Sequence, residues 1–390
     1  MDRTCPGLDQ YENHFGFCFL FNRDSDGTHS TLDGKRSDGS KVKAGPRQLP
    51  GYSRAQTGVT PEKAVLKDPP LSGDLILPPN FRQVLTGVKR LLRYVPGMRS
   101  LDRYLRYRYT ASYFEEPYPR GHYYSALPDI ADVRSRAATL FREDIDLAPS
   151  IDLKPEKQLR LLTELAGYYR DFQWPDQPSH DFRFYQDQGY FGPGDAVILH
   201  AMLRRFKPKQ IIEGGSGFTS ALMLDTNERF FDNQIQFTFI EPFPERLRSL
   251  MRAEDLQRCD LVQDRLQNLP LARFQQLEAN DILFVDSSHV AKAGSDVNFL
   301  LFEVLPSLKS GVIIHFHDVL WPFEYPLYWI QSGKAWNEAY LLRAFLQYNS
   351  QFEVLLLNCF VGRAFTSFME VQMPRFIKDP GGSLWLRKVT

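Results

Sequence analysis

Little in this sequence is extreme, and each shortage removes a class of protein. Only four cysteines occur in 390 residues, Cys5, Cys18, Cys259 and Cys359, and none makes a CxxC pair. A disulfide framework or a cysteine-rich zinc site is therefore not expected, and a reducing cytoplasm is the expected compartment. Charge of one sign is also missing, since 47 basic residues balance 47 acidic ones. No global field draws such a chain to nucleic acid or to an anionic membrane, so neither is expected as a partner. Long apolar runs are absent: Phe15 to Phe21 is far too short to span a bilayer, and no signal-peptide pattern opens the chain. What remains is the ordinary mixture of a soluble globular protein, 43% hydrophobic and 24% charged. The length suits one large domain with appendages or two modest ones, and a homo-oligomer is left open.

Residues 22–80 are rich in Gly, Ser, Asp, Lys and Pro, with no periodic apolar pattern. Such a segment cannot bury enough apolar surface to offset its ordering entropy, so residues 1–80 are expected to be a disordered leader. Over 81–120, Arg90, Arg93, Arg99, Arg103, Arg106 and Arg108 are interleaved with tyrosines. That pattern suits a phosphate-binding stripe or an amphipathic helical arm, and the neutrality of the whole chain favours the arm. Helical patterning continues over 129–143 and 155–171, so 81–180 is expected to be a helical extension or lid. A further helix is expected at 194–206, after Gly192-Pro193-Gly194.

From there to residue 390 the pattern alternates. Short apolar runs at Gln210–Glu213, Ile235–Glu241, Asp260–Asp264, Ile282–Asp286, Gly311–Asp318, Phe352–Asn358 and Leu384–Val389 are separated by candidate helices at 218–231, 244–254, 270–278, 295–309 and 337–349. Continuous apolar strands alternating with helices predict an α/β fold, a mainly parallel sheet covered on both faces. In such sheets ligands bind beyond the carboxyl ends of the strands. The first strand ends in Glu213-Gly214-Gly215-Ser216-Gly217, whose glycines let the backbone double back against a ligand. Taken alone, it is equally a tight strand-to-helix connection. The second strand ends in Glu241, placed to accept bonds from ribose hydroxyls or to cap a helix dipole. Asp264 follows the third strand, where an adenine amino group could sit.

Together these positions resemble the class I S-adenosylmethionine-dependent methyltransferases over roughly residues 185–390, best from Pro208 to Asp318. The resemblance implies a Rossmann-like seven-stranded sheet with the last strand antiparallel. It also implies that 181–390 is the cofactor domain, with S-adenosylmethionine held by Glu213, Gly215, Ser216, Gly217, Glu241 and Asp264. A nicotinamide dehydrogenase shares the first strand–turn–helix logic, but its fingerprint wants a third glycine where this chain has Ser220.

The fourth and fifth strands run into Asp286-Ser287-Ser288-His289 and His315-Phe316-His317-Asp318. Adjacent strands would bring carboxylates and imidazoles to one rim, a donor set for a divalent metal. Asp286, His317 and Asp318 are the expected ligands of Mg²⁺ or a similar ion, and His289, with Asp286, the expected catalytic pair that strips the proton from a hydroxyl. His317 reads equally as a structural residue, and His315, on the opposite strand face, as a hydrogen-bonded core histidine. This D-x-x-H and late His-Asp pair is similar to the metal-dependent sugar O-methyltransferases and the cephalosporin-hydroxylase-like proteins. That branch usually has glutamate where this chain has His317, and a histidine ligand tilts preference towards Mn²⁺, Fe²⁺ or Zn²⁺. The loop Val319 to Pro326 is aromatic and proline-stiffened, suited either to stacking on a sugar or planar ring or to a plain hydrophobic cover. Tyr185, Tyr190, Phe191 and the segment 121–128 are candidates for folding over the cofactor. The expected function is O-methylation of a small-molecule or carbohydrate hydroxyl. Two alternatives stand beside it: a metal-dependent hydroxylase-like enzyme on the same fold, and a catalytically silent cofactor-binding module.

Overall fold

All seven apolar runs form strands, each shorter by a residue or more than the run that holds it or shifted at its end. The computed structural model describes residues 118–390 apart from 143, 145–147 and 149. The expected leader and nearly all of the basic arm lie outside those residues. The strands are β1 (Gln210–Gly214), β2 (Gln236–Ile240), β3 (Asp260–Val262), β4 (Ile282–Val285), β5 (Ile313–Phe316), β6 (Phe352–Leu357) and β7 (Leu384–Lys388). Their order across one sheet is β3-β2-β1-β4-β5-β7-β6. Strands β1 to β5 are mutually parallel, whereas β7 runs antiparallel to both β5 and β6. The expected sheet is present, antiparallel last strand included.

The two central strands show why no alternation of polar and apolar residues marks them. Every residue of β4 (Ile-Leu-Phe-Val) and of β5 (Ile-Ile-His-Phe) is buried, because helices cover both sheet faces. Two of those helices are themselves enclosed. In α2 (Pro193–Phe206) everything from Gly194 to Leu203 is buried, and in α3 (Phe218–Phe230) everything from Thr219 to Asn227. Pro193 starts α2 where its missing N–H costs nothing, and Arg204 and Arg205 complement the dipole in the last turn. Before them, α1 (Pro155–Ala166) contributes Leu162 and Leu165 to the same core, followed by Phe172, Trp174 and Phe184.

The chain entering α2 is fastened by buried charge. Arg183 donates to Asp225 Oδ1 (2.9 Å) and Glu228 Oε2 (2.6 Å) on α3 and bidentately to Asp255 (2.7 Å each). Asp225 also accepts from the backbone N–H groups of Arg183 and Phe184 and from Trp174 Nε1. The expected helix at 270–278 is instead a 3₁₀ stretch, Leu271–Gln276. Leu271, Phe274 and Leu277 recur every third residue, the period of that tighter helix. The helix expected at 129–143 is two short pieces, Ile130–Ser135 and Ala137–Leu140. Among the described residues no helix is long and apolar enough to cross a membrane.

Candidate active site at the carboxyl ends of the strands

The glycine turn is built around an enclosed carboxylate. Glu213 is fully buried at the end of β1, and both its oxygens accept hydroxyl hydrogen bonds from the first turn of α3, from Thr219 and from Ser220. Burial pushes its carboxyl up to about 7 against those bonds. Its contribution is thus the shape of the turn. Ser220 also accepts from Gly217 N–H (3.0 Å), which gives a physical reason for a serine where a dinucleotide fold places glycine. Gly215 has φ +83°, and a Cβ there would lie 1.7 Å from the carbonyl oxygen of Asp286. Only glycine fits, and the turn therefore lies directly against the residue that opens the rim.

Glu241 reaches back to this turn. Its Oε2 accepts from Ser216 N–H (3.2 Å) and its Oε1 from Phe243 N–H (2.9 Å), while the side chain stays half-buried. Asp264 is exposed beyond β3, with Oδ1 accepting from Asn268 Nδ2 and Arg265 N–H at 2.7 Å each, and the Asn268 bond holds its carboxyl below the usual range. Tyr190 stacks on Phe218, the first residue of α3, at 5.6 Å, and Arg246 lies over the Tyr190 ring at 4.0 Å. Of the aromatics expected over the cofactor, Tyr190 stands exposed at the turn, whereas Phe191 is buried against Phe284 and His317.

At the ends of β4 and β5 the structure brings Asp286, His289, His317 and Asp318 together. His289 Nε2 lies 3.4 Å from Asp286 Oδ1 and 3.6 Å from Asp318 Oδ2. His317 Nδ1 lies 3.5 Å from an oxygen of each of the same two carboxylates. Each imidazole is braced from behind: His289 Nδ1 meets Glu338 Oε2 at 3.0 Å, and His317 Nε2 meets Asp195 Oδ2 at 3.3 Å. Both braces are buried, Glu338 in the first turn of α4 (Glu338–Tyr348) and Asp195 in the first turn of α2. Asp195 also accepts from the backbone N–H groups of Gly382 and Ser383 and from Asn358 Nδ2, so the residues just before β7 and just after β6 fix it. His289 and Asp318 both have φ of +58°, a conformation that is uncommon without glycine and is held here by the surrounding bonds.

The electrostatics follow from four carboxylates around two imidazoles. Burial pushes the His289 imidazole down, but bonds to Asp286 and Glu338 outweigh it and raise it to about 10. His317 is raised well above its usual value in the same way, burial being overcome by Asp286 and Asp318. Asp286, despite burial, is held well below the usual carboxylate range by His317 and His289, whereas burial raises Asp318 and Glu338. The rim attracts positive charge. Among the described residues, Asp286, His289 and Asp318 each offer a donor atom, and all three atoms lie within 4.8 Å of one another. That trio contains His289, and His317 Nδ1, expected from the sequence as a ligand, approaches the same two carboxylates as closely.

Sequence reasoning missed the two bracing acids: Asp195 behind a Gly-Pro-Gly turn, and Glu338 on a helix that was read, at 337–349, without a role for its first acid. It also left open the loop after Asp318. There Trp321, Phe323 and Tyr325 are buried, so the loop is a hydrophobic cover. Beyond that loop, the half-buried Trp336 has its ring 4.3 Å from that of His289. His315 is a core histidine, fully buried, stacked on Phe284 at 3.7 Å and bonded to Ser383 Oγ at 2.8 Å.

Residues 212–319 match a methyltransferase domain family, Methyltransf_24. An uncharacterized protein of Archaeoglobus fulgidus is 34% identical over 170 residues, spanning 42% of this chain and 76% of that protein. Among solved structures, the SAH-bound methyltransferase PaMTH1 of Podospora anserina is 19% identical, with 59% of this chain and 88% of that chain covered and a TM-score of 0.33. The O-methyltransferase TomG of Streptomyces achromogenes, involved in tomaymycin synthesis and solved with SAM, is 14% identical, with 67% and 96% covered and a TM-score of 0.33.

Proposed function

We propose that the chain is a class I S-adenosylmethionine-dependent methyltransferase, residues 212–319 matching a methyltransferase domain family, and that it methylates a hydroxyl of a small molecule or carbohydrate beside a divalent cation. The observation that carries the reading is the convergence of Asp286, His289 and Asp318 within 4.8 Å, against the turn that the family uses for its cofactor. Two carboxylates and an imidazole form a donor set that a divalent ion accepts, and the imidazole inclines it towards Mn²⁺, Fe²⁺ or Zn²⁺ over Mg²⁺. His289, with its second nitrogen on Glu338, has the carboxylate–histidine arrangement typical of a ligand. A cation held there would bind the acceptor oxygen and lower the pKa of its hydroxyl.

Methyl transfer forms an oxygen–carbon bond as the carbon–sulfur bond breaks, with the bonding pair leaving on sulfur and the hydroxyl proton going to the protein. His317 is the group we assign to that proton: without a cation Asp286 and Asp318 keep its imidazole protonated, and a cation held between those carboxylates would oppose that charge and free Nδ1 to accept. Asp195 holds its Nε2, which leaves Nδ1 facing the rim, the orientation a general base needs. This exchanges the roles that the sequence suggested for the two histidines. Glu241 and Asp264, at the ends of β2 and β3, are the acceptors for ribose and adenine; the Ser216–Gly217 backbone closes the turn around the methionine part.

The test is conversion of S-adenosylmethionine to S-adenosylhomocysteine with a panel of phenols, catechols and sugars, with and without chelator. Asp318→Ala is expected to abolish transfer while calorimetric affinity for S-adenosylhomocysteine persists. His317→Gln is expected to lower turnover about 10²–10⁴-fold with the same affinity. Normal turnover by Asp318→Ala, or full activity under chelator, would sink the cation assignment.

A further inference from the structure

A second cleft lies at the other end of the sheet from the rim. Its volume is about 630 Å³, within the usual range for a small-molecule site. Asn280, just before β4, and Arg387, paired with the first residue of β5, mark this as the amino-terminal end of the parallel strands. Four basic side chains line it, Lys157 and Arg160 from α1, Arg205 from the end of α2 and Arg387 from β7. Two acids line it as well, and both are already engaged: Glu164 by Arg205, and Glu353 by Lys154 (3.3 Å) and Lys157 (3.5 Å). Arg160 and Arg387 have no carboxylate partner among the described residues.

Arg387 is the more telling of the two. Its Nε is buried and has no hydrogen-bond partner, and buried donors are otherwise almost always satisfied. Its guanidinium is held 5.2 Å from the ring of Phe206, with Arg205 at 5.3 Å from the same ring. An oriented guanidinium with an idle donor, a second unpaired guanidinium and an aromatic face in one cleft are complementary to a planar or apolar group carrying an oxyanion. A tetrahedral, multiply charged phosphate offers more acceptor oxygens to such a pair than a planar carboxylate does.

We propose that this cleft binds a phosphate-bearing small molecule, its phosphate between Arg160 and Arg387 and its apolar part against Phe206 and Leu161. The site is separate from the methyl-transfer rim and needs neither its cation nor its cofactor. The probe is phenyl phosphate, titrated calorimetrically into the full chain at fixed ionic strength, with benzoate as the carboxylate control. Phenyl phosphate is expected to bind more tightly than benzoate. Arg160→Glu, a change on the exposed face of α1, is expected to weaken it about tenfold or more, the effect of losing one charge-assisted contact. Arg387→Gln should do the same, and S-adenosylhomocysteine affinity should be unchanged in both. Absence of phenyl phosphate binding, equal binding by Arg160→Glu, or benzoate binding as tight as phenyl phosphate each overturns the proposal.

Discussion

Glu213 shows how one residue's burial sets a pH response for the whole domain. Its carboxyl is raised from 4.5 to about 7 because burial disfavours the charged form more than the Thr219 and Ser220 hydroxyls favour it. The folded protein then holds a proton that the unfolded chain loses between those two values. Stability from this group is full below pH 4.5 and falls as pH rises to about 7, by roughly 3 kcal/mol for such a shift. Glu213→Gln keeps the shape and removes the titration. Denaturant melts between pH 5 and 8 should show a flatter profile for the variant, and parallel profiles would refute this account. Gly215 makes a second claim at the same scale. A Cβ there would meet the Asp286 carbonyl at 1.7 Å, in a backbone conformation that alanine resists. Gly215→Ala should therefore weaken S-adenosylhomocysteine binding and cation binding together, whereas a purely local effect would touch only the first.

At the scale of elements, the strands were legible in the sequence because burial on both faces leaves continuous apolar runs bounded by polar residues, as in Ile282–Val285 before Asp286. The same runs deliver Asp286, His289, His317 and Asp318 to one edge, so the four rim residues could be read as well. The two acids that brace them could not. Asp195 and Glu338 reach the rim through tertiary packing of helix starts, and an acid in a first helical turn is read by default as a dipole partner. Between β6 and β7 the three helices Asn358–Ala364, Thr366–Gln372 and Pro374–Lys378 went unread, each about two turns or less and too short for a periodic stripe. The charged fastening at Arg183 was equally invisible, since its partners Asp225, Glu228 and Asp255 are scattered through the chain. Arg183→Met would leave Asp225 and Asp255 buried without their cation. The expected loss is about 3–5 kcal/mol in urea denaturation, and a loss below 1 kcal/mol would mean the acids find other partners.

At the scale of the molecule, the zero net charge of the chain conceals a strongly uneven distribution. Acids concentrate at the carboxyl rim, where Asp195, Asp286, Asp318 and Glu338 surround two imidazoles, while unpaired guanidiniums concentrate at the opposite end of the sheet. Gathering four acids, two buried and two half-buried, is unfavourable without positive charge, and their proximity favours the protonated form of the two histidines. A divalent cation at Asp286, His289 and Asp318 would take over that task more effectively, since it interacts with the native rim and not with the unfolded chain. Cation binding should therefore stabilise the protein, by about 2.7 kcal/mol at a concentration one hundred times its dissociation constant. Because Gly215 packs against Asp286, the cation should also tighten S-adenosylhomocysteine binding, and the cofactor product should tighten the cation by the same factor. Thermal melts with Mn²⁺ and S-adenosylhomocysteine, singly and together, measure both effects. Asp286→Asn should lose the Mn²⁺ shift and keep the S-adenosylhomocysteine shift. If Mn²⁺ raised the melting temperature of that variant as much as it raised that of the parent, the stabilising cation would be bound somewhere other than this rim.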